Sequence, residues 1–212
     1  MKDQKQHWNE LHKNGQVNRN SDKPTTSAIE LLGIIPASSK ILELGCGMGR
    51  DSAALAKAGH TVLATDFSDA AVANTIESFG SIPGLTFQTL DIGKPFTHLR
   101  GNEFDVVYAR LCLHYFTDEV TRGAMREIHR VLKPDGYLYF ICKSTADPLF
   151  GEGEEIEKDM FVRDGHVRHF FSEDYVRSIL ENQFSIVRIE TSKEVFYERE
   201  SAFIKVIVRA EK

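Results

Sequence analysis

The sequence predicts an α/β fold, a doubly wound and mostly parallel seven-stranded sheet with helices on both faces. Three observations predict it. From Lys40 onward, apolar runs of strand length alternate with helical patterns, as expected of parallel strands joined by crossover helices. Residues 40–52, Lys-Ile-Leu-Glu-Leu-Gly-Cys-Gly-Met-Gly-Arg-Asp-Ser, pass from β-friendly sequence through glycines at 45, 47 and 49 into a run of alanines and leucine. The next apolar run ends on Asp66, 21 residues after Gly45. An acid at that distance from a glycine loop is placed to accept hydrogen bonds from ribose hydroxyls.

Each element follows from local signals. Residues 1–20 carry Trp8, Leu11 and His12 among polar neighbours and predict a short, weakly amphipathic helix. A loop rich in Asn, Ser and Gly covers 14–24, and a helix over 25–32 stops at Gly33, ahead of Pro36. Strands are expected at 41–44, 61–65, 86–90, 104–109 and 137–142, with the first at the centre of the sheet. Helices are expected at 52–58, at 69–79 after Ser68 as cap, and at 118–132 after Thr117, stopping before Pro134. Beyond the fifth strand, Pro148, Gly151, Gly153 and Gly165 surround an acidic run, so 143–171 reads as a long insertion. Ser172 then caps a helix to 180, and two strands follow at 184–190 and 202–209. The chain is thus expected to be one domain over 1–212: a helical arm (1–36), a core (37–142), a lid-like insertion (143–171), and a C-terminal helix and hairpin (172–212).

Composition narrows the function classes. At 212 residues, 42% hydrophobic and 27% charged, the chain suffices for one well-buried core. No run of 18 apolar residues exists and the first twenty residues lack a signal-peptide core, so the expectation is a cytoplasmic protein without a membrane partner. Cys46, Cys112 and Cys142 include no Cys-x-x-Cys pair and read as core thiols; that absence, with no His-Glu-x-x-His, leaves no metal site expected. Net charge is −5 without a Lys/Arg cluster, so no nucleic-acid partner is expected.

The glycine loop carries the sharpest chemistry. Glycine reaches backbone angles that side chains forbid and lets a ligand approach the main chain, while the N–H groups opening the next helix face that ligand. A dinucleotide fingerprint would need Gly-x-Gly-x-x-Gly, with its third glycine where Arg50 stands. The observed Gly-x-Gly-x-Gly, preceded by Glu43, resembles instead the first motif of the class I S-adenosylmethionine-dependent methyltransferases, matched at Glu43, Gly45, Gly47 and Gly49 around Cys46. The resemblance implies a Rossmann-like methyltransferase fold closed by a terminal hairpin with an antiparallel C-terminal strand, and S-adenosyl-L-methionine as cofactor. It places Asp66 on the ribose hydroxyls and Phe67 against the adenine; the rival reading of Asp66 is a helix cap. It places Asp91 on the adenine amino group and Ile92 beside the ring, against a surface-turn aspartate. It sets the backbone of Ala109 and Arg110 beside the methionine portion, within a run from Phe104 to Phe116 that includes Leu113-His114-Tyr115. Residues 131–136, Val-Leu-Lys-Pro-Asp-Gly, resemble the family's turn into its fifth strand. Gly-x-Gly-Arg-Asp-Ser at 47–52 and Gly59-His60 look closest to the branch of tellurite-resistance and thiol methyltransferases.

Methyl transfer from a sulfonium asks mainly for alignment and exclusion of water. A thiolate or oxyanion acceptor needs no strong base, whereas a neutral amine or hydroxyl can require one. His114 and Tyr115 are the catalytic candidates, with packing the alternative for His114. Trp8, His166, Arg168 and His169 are the candidates for the acceptor side: Trp8 on a helix that the resemblance sets over the cleft, with anchoring of the arm as its alternative, and the other three as ligands of an anionic or metalloid acceptor on a mobile lid, with surface lid residues of no dedicated role as theirs. The expected partner is a small-molecule methyl acceptor, with the protein a monomer or homodimer. An NAD-dependent oxidoreductase, a transferase using the decarboxylated cofactor for aminopropyl transfer, and a non-catalytic cofactor-binding subunit remain as rivals. Tyr139-x-x-x-Lys143 has the spacing of a catalytic Tyr-Lys pair, but on a strand its members stand about 13 Å apart.

Overall fold

The computed structural model describes residues 4–14, 23–196 and 199–212. Most of the loop expected over 14–24 lies outside the described residues. The chain runs α1 (Gln4–Lys13), α2 (Thr26–Leu32), β1 (Lys40–Leu44), α3 (Arg50–Lys57), β2 (Thr61–Asp66), α4 (Asp69–Phe79), β3 (Leu85–Thr89) and β4 (Phe104–Arg110). A 3-10 turn at Leu113–Tyr115 leads to α5 (Asp118–Val131), β5 (Leu132–Lys143), β6 (Glu154–Glu157), β7 (Met160–Arg163), β8 (His166–His169), α6 (Glu173–Leu180), β9 (Phe184–Phe196) and β10 (Arg199–Ala210).

Seven strands form one sheet in the order β3-β2-β1-β4-β5-β10-β9; the first five are parallel and β10 runs antiparallel to both neighbours. This is the doubly wound architecture the sequence predicts, with one correction: β1 stands third, and β4 is the middle strand. The chain winds outward through β2 and β3, then crosses back to β4, so the reversal falls between β1 and β4. In open α/β sheets that is where ligands bind. Register makes it concrete: Leu44 pairs with Ala109, so the glycine loop after β1 meets the segment after β4, and Asp66 ends β2 alongside Thr89 of β3.

Strand alternation divides the core into two layers. Leu42, Leu44, Val107 and Ala109 face α5 and α6, packing with Met125, Ile128, Val176 and Ile179. Ile41, Val106 and Tyr108 face the other way, with Leu31, Ala53 and Leu55. Ser68, Thr117 and Ser172 each accept a hydrogen bond from the backbone N–H three residues on, and Thr25 does the same for α2.

The region expected as an insertion is more ordered than its composition suggests. β6, β7 and β8 form a three-stranded antiparallel sheet, and Met160, Phe161, Val167, Phe170 and Phe171 are buried. Its apolar residues are scattered among acids and glycines, so no period is visible in sequence. β9 and β10 extend past their expected ends because Thr191, Lys193 and Glu194 keep the ladder while leaving the apolar alternation. Among the described residues, no helix is long and apolar enough to cross a membrane.

Candidate active site

The glycine loop adopts positive φ at all three glycines: 70° at Gly45, 53° at Gly47 and 71° at Gly49. Two of them are also required by space. A Cβ on Gly45 would lie 2.6 Å from Cys112 Cβ, and one on Gly49 would lie 2.8 Å from Thr75 Cγ2. A Cβ on Gly47 would meet nothing within 4 Å, and the Gly47 N–H donates to Asp66 Oδ2 at 2.9 Å. Ser68 N–H donates to the other oxygen at 2.9 Å. The Asp66 carboxyl is therefore fixed at the end of β2. Burial raises its pKa, against the pull of these N–H donors and of His12.

Two further acids brace the loop from beneath. Glu43, buried on β1, accepts from Ser52 Oγ on α3. Burial and then the Asp51 carboxylate push it well above the usual carboxylate range, against the Ser52 hydrogen bond. Asp51, in the first turn of α3, accepts from Thr25 N and Thr25 Oγ1, both at 2.7 Å, and from Tyr108 Oη at 3.1 Å. The loop is thus tied to β1, to β4 and to the start of α2.

Above the loop is a cavity of about 260 Å3. Gly45 and Gly47 form its floor, and Asp66, Phe67 and Ile92 one wall. Leu111, Cys112, Tyr115 and Phe116 form the opposite wall, and Trp8 and His12 of α1 cover it. Trp8 meets the Tyr115 ring edge-on at 5.5 Å between centroids. Asn9 Oδ1 ties α1 down by accepting from Ser68 Oγ at 2.8 Å and from Ala70 N at 3.3 Å.

Of the residues singled out in sequence, Trp8, Gly45, Gly47, Asp66, Phe67, Ile92 and Tyr115 therefore converge on one cavity. Glu43, Cys46, Gly49 and Ala109 lie behind it as buried support; burial raises the Cys46 thiol. The Asp91 side chain accepts from Gly93 N at 3.0 Å and pairs with Lys94 at 3.2 Å, one residue from the wall. Arg110 ends β4, close enough to Glu43 to lower its pKa slightly.

His114 sits beside Tyr115, ring centroids 4.5 Å apart, and is 2% exposed. Burial, then the charges of Arg168, Lys143, His169 and Arg110, depress its pKa to about 3, so the imidazole is neutral. His166 and Arg168 share the less buried face of β8, and His166 meets His7 of α1 edge-on at 4.6 Å. His169 turns the other way. It stacks near Tyr175 at 4.5 Å, lies 3.3 Å from the Phe116 carbonyl, and borders a separate cavity with Asp118 and Ser172.

Three wall residues, His12, Leu111 and Phe116, were not singled out by the sequence as site residues, and a fourth, Cys112, read there as a core thiol, stands on the cavity wall instead. His12 had a signal, since it lies four residues after Trp8 on one helical face. Leu111 takes φ 55°, costly for a leucine, at the turn that aims this segment over the loop. No residue type announces that strain.

Comparison with known proteins agrees with this geometry. A family model described as "Methyltransferase domain" matches residues 41–136. Phosphoethanolamine N-methyltransferase 1 of Triticum aestivum is 33% identical over 145 residues, covering 64% of this chain and 29% of that protein. Residues 41–136 are thus similar to a methyltransferase domain, on the Rossmann-like fold of the class I S-adenosylmethionine-dependent methyltransferases. Thiocyanate methyltransferase 1 of Arabidopsis thaliana is 26% identical over 117 residues, covering 55% of this chain and 52% of that one. In fold, the chain is similar to the 1,6-didemethyltoxoflavin-N1-methyltransferase of Burkholderia thailandensis, solved with 1,6-didemethyltoxoflavin and S-adenosylhomocysteine, at 17% identity and TM-score 0.77 over 99% of this chain and 88% of that chain. The chain spans under a third of the length of the phosphoethanolamine methyltransferases that it matches, at 29% for the Triticum aestivum protein.

Proposed function

We propose that this methyltransferase binds S-adenosylmethionine in the 260 Å3 cavity and passes its methyl group to a small-molecule acceptor. One observation carries the reading: the Asp66 carboxylate is fixed by two backbone N–H groups at the edge of a cavity whose other walls are largely apolar. That combination fits a ribose flanked by apolar groups. The residues present fit the cofactor at each part. Asp66 accepts from ribose hydroxyls, Phe67 and Ile92 flank the adenine, and the open space over Gly47 admits the main-chain approach that a Cβ would fill. Bound, the cofactor supplies a methyl group already activated on a sulfonium, so the chain needs only to align the acceptor and exclude water. Trp8, Tyr115 and Phe116 exclude water from one side. The names of the relatives support a nitrogen or sulfur acceptor. An anionic sulfur nucleophile reacts without a base. For an amine, His114 beside Tyr115 is a weak base, its pKa lowered by burial to about 3, so the amine has to arrive in its neutral form.

The test is calorimetric titration with S-adenosylhomocysteine, with NADH as a parallel ligand and Asp66→Ala beside the wild type. The expected result is micromolar affinity for the first ligand and a loss of at least tenfold in the variant; binding of NADH alone would overturn the reading. Turnover with no acceptor, despite tight binding, would favour a non-catalytic subunit.

A further inference from the structure

Five arginines of this chain, Arg122, Arg130, Arg163, Arg177 and Arg188, each pair with a carboxylate. Arg168 does not. Half-buried on β8, its side chain makes no hydrogen bond or ion pair with any described residue. The groups whose protonation it disfavours are all bases: His114, Lys143 and His166. A guanidinium held among like charges and partly withdrawn from water is costly unless an anion joins it.

The surrounding elements add two cations, Arg110 of β4 and Lys143 of β5, and the imidazoles of His166 and His169 on β8 and His7 on α1. The carboxylate that acts on His166, Asp164, is paired with Arg163 at 3.6 Å. The acid beside Lys143, Asp147, is occupied: it accepts from Lys143 Nζ at 2.6 Å, Ala202 N at 2.9 Å and Leu149 N at 3.0 Å. Glu43, near Arg110, is buried beneath the loop and bonded to Ser52. Against the cluster, His114 Nδ1 is buried without a hydrogen-bond partner. Asp118, Glu157 and Asp159 act on His169, which faces the separate cavity.

Position links the cluster to the methyl-transfer site. Along α1, His12 acts on Asp66 at the ribose end, while His7 meets His166 at the other. Five residues of helix separate them, about 7.5 Å. Tyr115 lies on the cavity wall and touches His114, so the cluster lies just beyond the wall opposite Asp66.

We propose that the methyl acceptor carries an anionic group, carboxylate or phosphate, which docks on Arg168 among Arg110, Lys143 and His114, leaving the nucleophilic end of the molecule toward the cavity. This rests on the methyl-transfer reading of the cavity and names the class of its acceptor. Arg168 is then a specificity residue: its planar fork suits two oxygens of either anion. Burial first and then these cations keep His114 neutral, and the anion offsets the cations, so anion binding draws that imidazole toward its protonated form.

The experiment titrates the protein, saturated with S-adenosylhomocysteine, with inorganic phosphate and in a second arm with acetate, at constant ionic strength set by chloride. Histidine ring signals are followed by NMR. The expected result is saturable movement of the His114 signals and an upward shift of its titration with at least one anion. Arg168→Gln weakens that anion by tenfold or more and Arg168→Lys by less, with S-adenosylhomocysteine affinity within twofold of wild type in both. Response to phosphate alone assigns a phosphorylated acceptor, and response to acetate alone a carboxylate. No response to either anion beyond chloride, or equal response in Arg168→Gln, overturns the proposal. If S-adenosylhomocysteine fails to bind, the cavity reading falls separately, and the same titration of the free protein still decides the anion site.

Discussion

Gly45 and Gly47 share a left-handed backbone yet differ in what surrounds them, and the difference is measurable. At Gly45 an added methyl meets Cys112 Cβ at 2.6 Å as well as the φ penalty. Left-handed backbone costs roughly 1–2 kcal/mol for a residue with a side chain, and overpacking adds about 1–3 kcal/mol. Gly45→Ala should therefore lower stability by about 2–5 kcal/mol in urea unfolding. Gly47→Ala, with nothing within 4 Å, should cost only the backbone share of about 1–2 kcal/mol. Its methyl projects into open space above the loop, so S-adenosylhomocysteine affinity should nevertheless fall tenfold or more. Equal stability losses in the two variants would mean that the Cys112 contact is not what confines Gly45. These positions were legible in sequence because the need is local: a left-handed turn selects glycine, and a ribose selects an acid one strand away. Leu111 and Cys112 were not, because their place on the wall depends on Leu44 pairing with Ala109, a contact between strands 65 residues apart in the chain.

α1 and the β6–β8 sheet mark the limit of element-level reading. A helix near Trp8 was legible from its amphipathic pattern, but its seat over the cavity depends on Asn9 meeting Ser68 and Ala70, which no periodicity encodes. The β6–β8 sheet was read as an insertion because its strands are four residues long and rich in acids and basic residues. Trp8 is the only tryptophan, so its emission reports on α1 alone. Since Trp8 covers the cavity, cofactor binding should change that emission. Asn9→Ala removes the acceptor of two hydrogen bonds, worth about 1 kcal/mol each. The expected outcome is a red-shifted Trp8 in the ligand-free variant and S-adenosylhomocysteine affinity lowered about five- to tenfold, with the urea midpoint of the domain nearly unchanged. Emission and affinity equal to wild type would show that Asn9 does not hold the helix over the cavity.

Over the whole molecule, buried titratable groups set how stability responds to acid. His60, His114, His166 and His169 all have depressed pKa values, with burial the first cause in each. The unfolded chain takes up protons below about 6.5, where the folded chain does not. Stability contributed by these groups is therefore present above pH 6.5 and lost as pH falls toward their folded values. Glu43 and Asp66 act in the opposite sense: raised in the fold, they favour the folded chain most at low pH and lose that advantage as pH rises through their folded values. The salt-bridged carboxylates Glu103, Asp105 and Glu127 have lowered pKa values, so their contribution is lost only on acidification below the ordinary carboxylate range. Between pH 6.5 and 4.5 the histidines therefore dominate the loss. For His114, with a folded value of about 3, two pH units correspond to about 2–3 kcal/mol. His114→Gln keeps a polar side chain of similar reach but cannot titrate. Urea midpoints at pH 4.5, 5.5 and 6.5 should show wild-type stability falling with acid, and the variant's falling by about 2–3 kcal/mol less over the same interval. Parallel slopes would mean that His114 protonates as easily in the fold as in the unfolded chain, and that neither its burial nor the cations around it set its state.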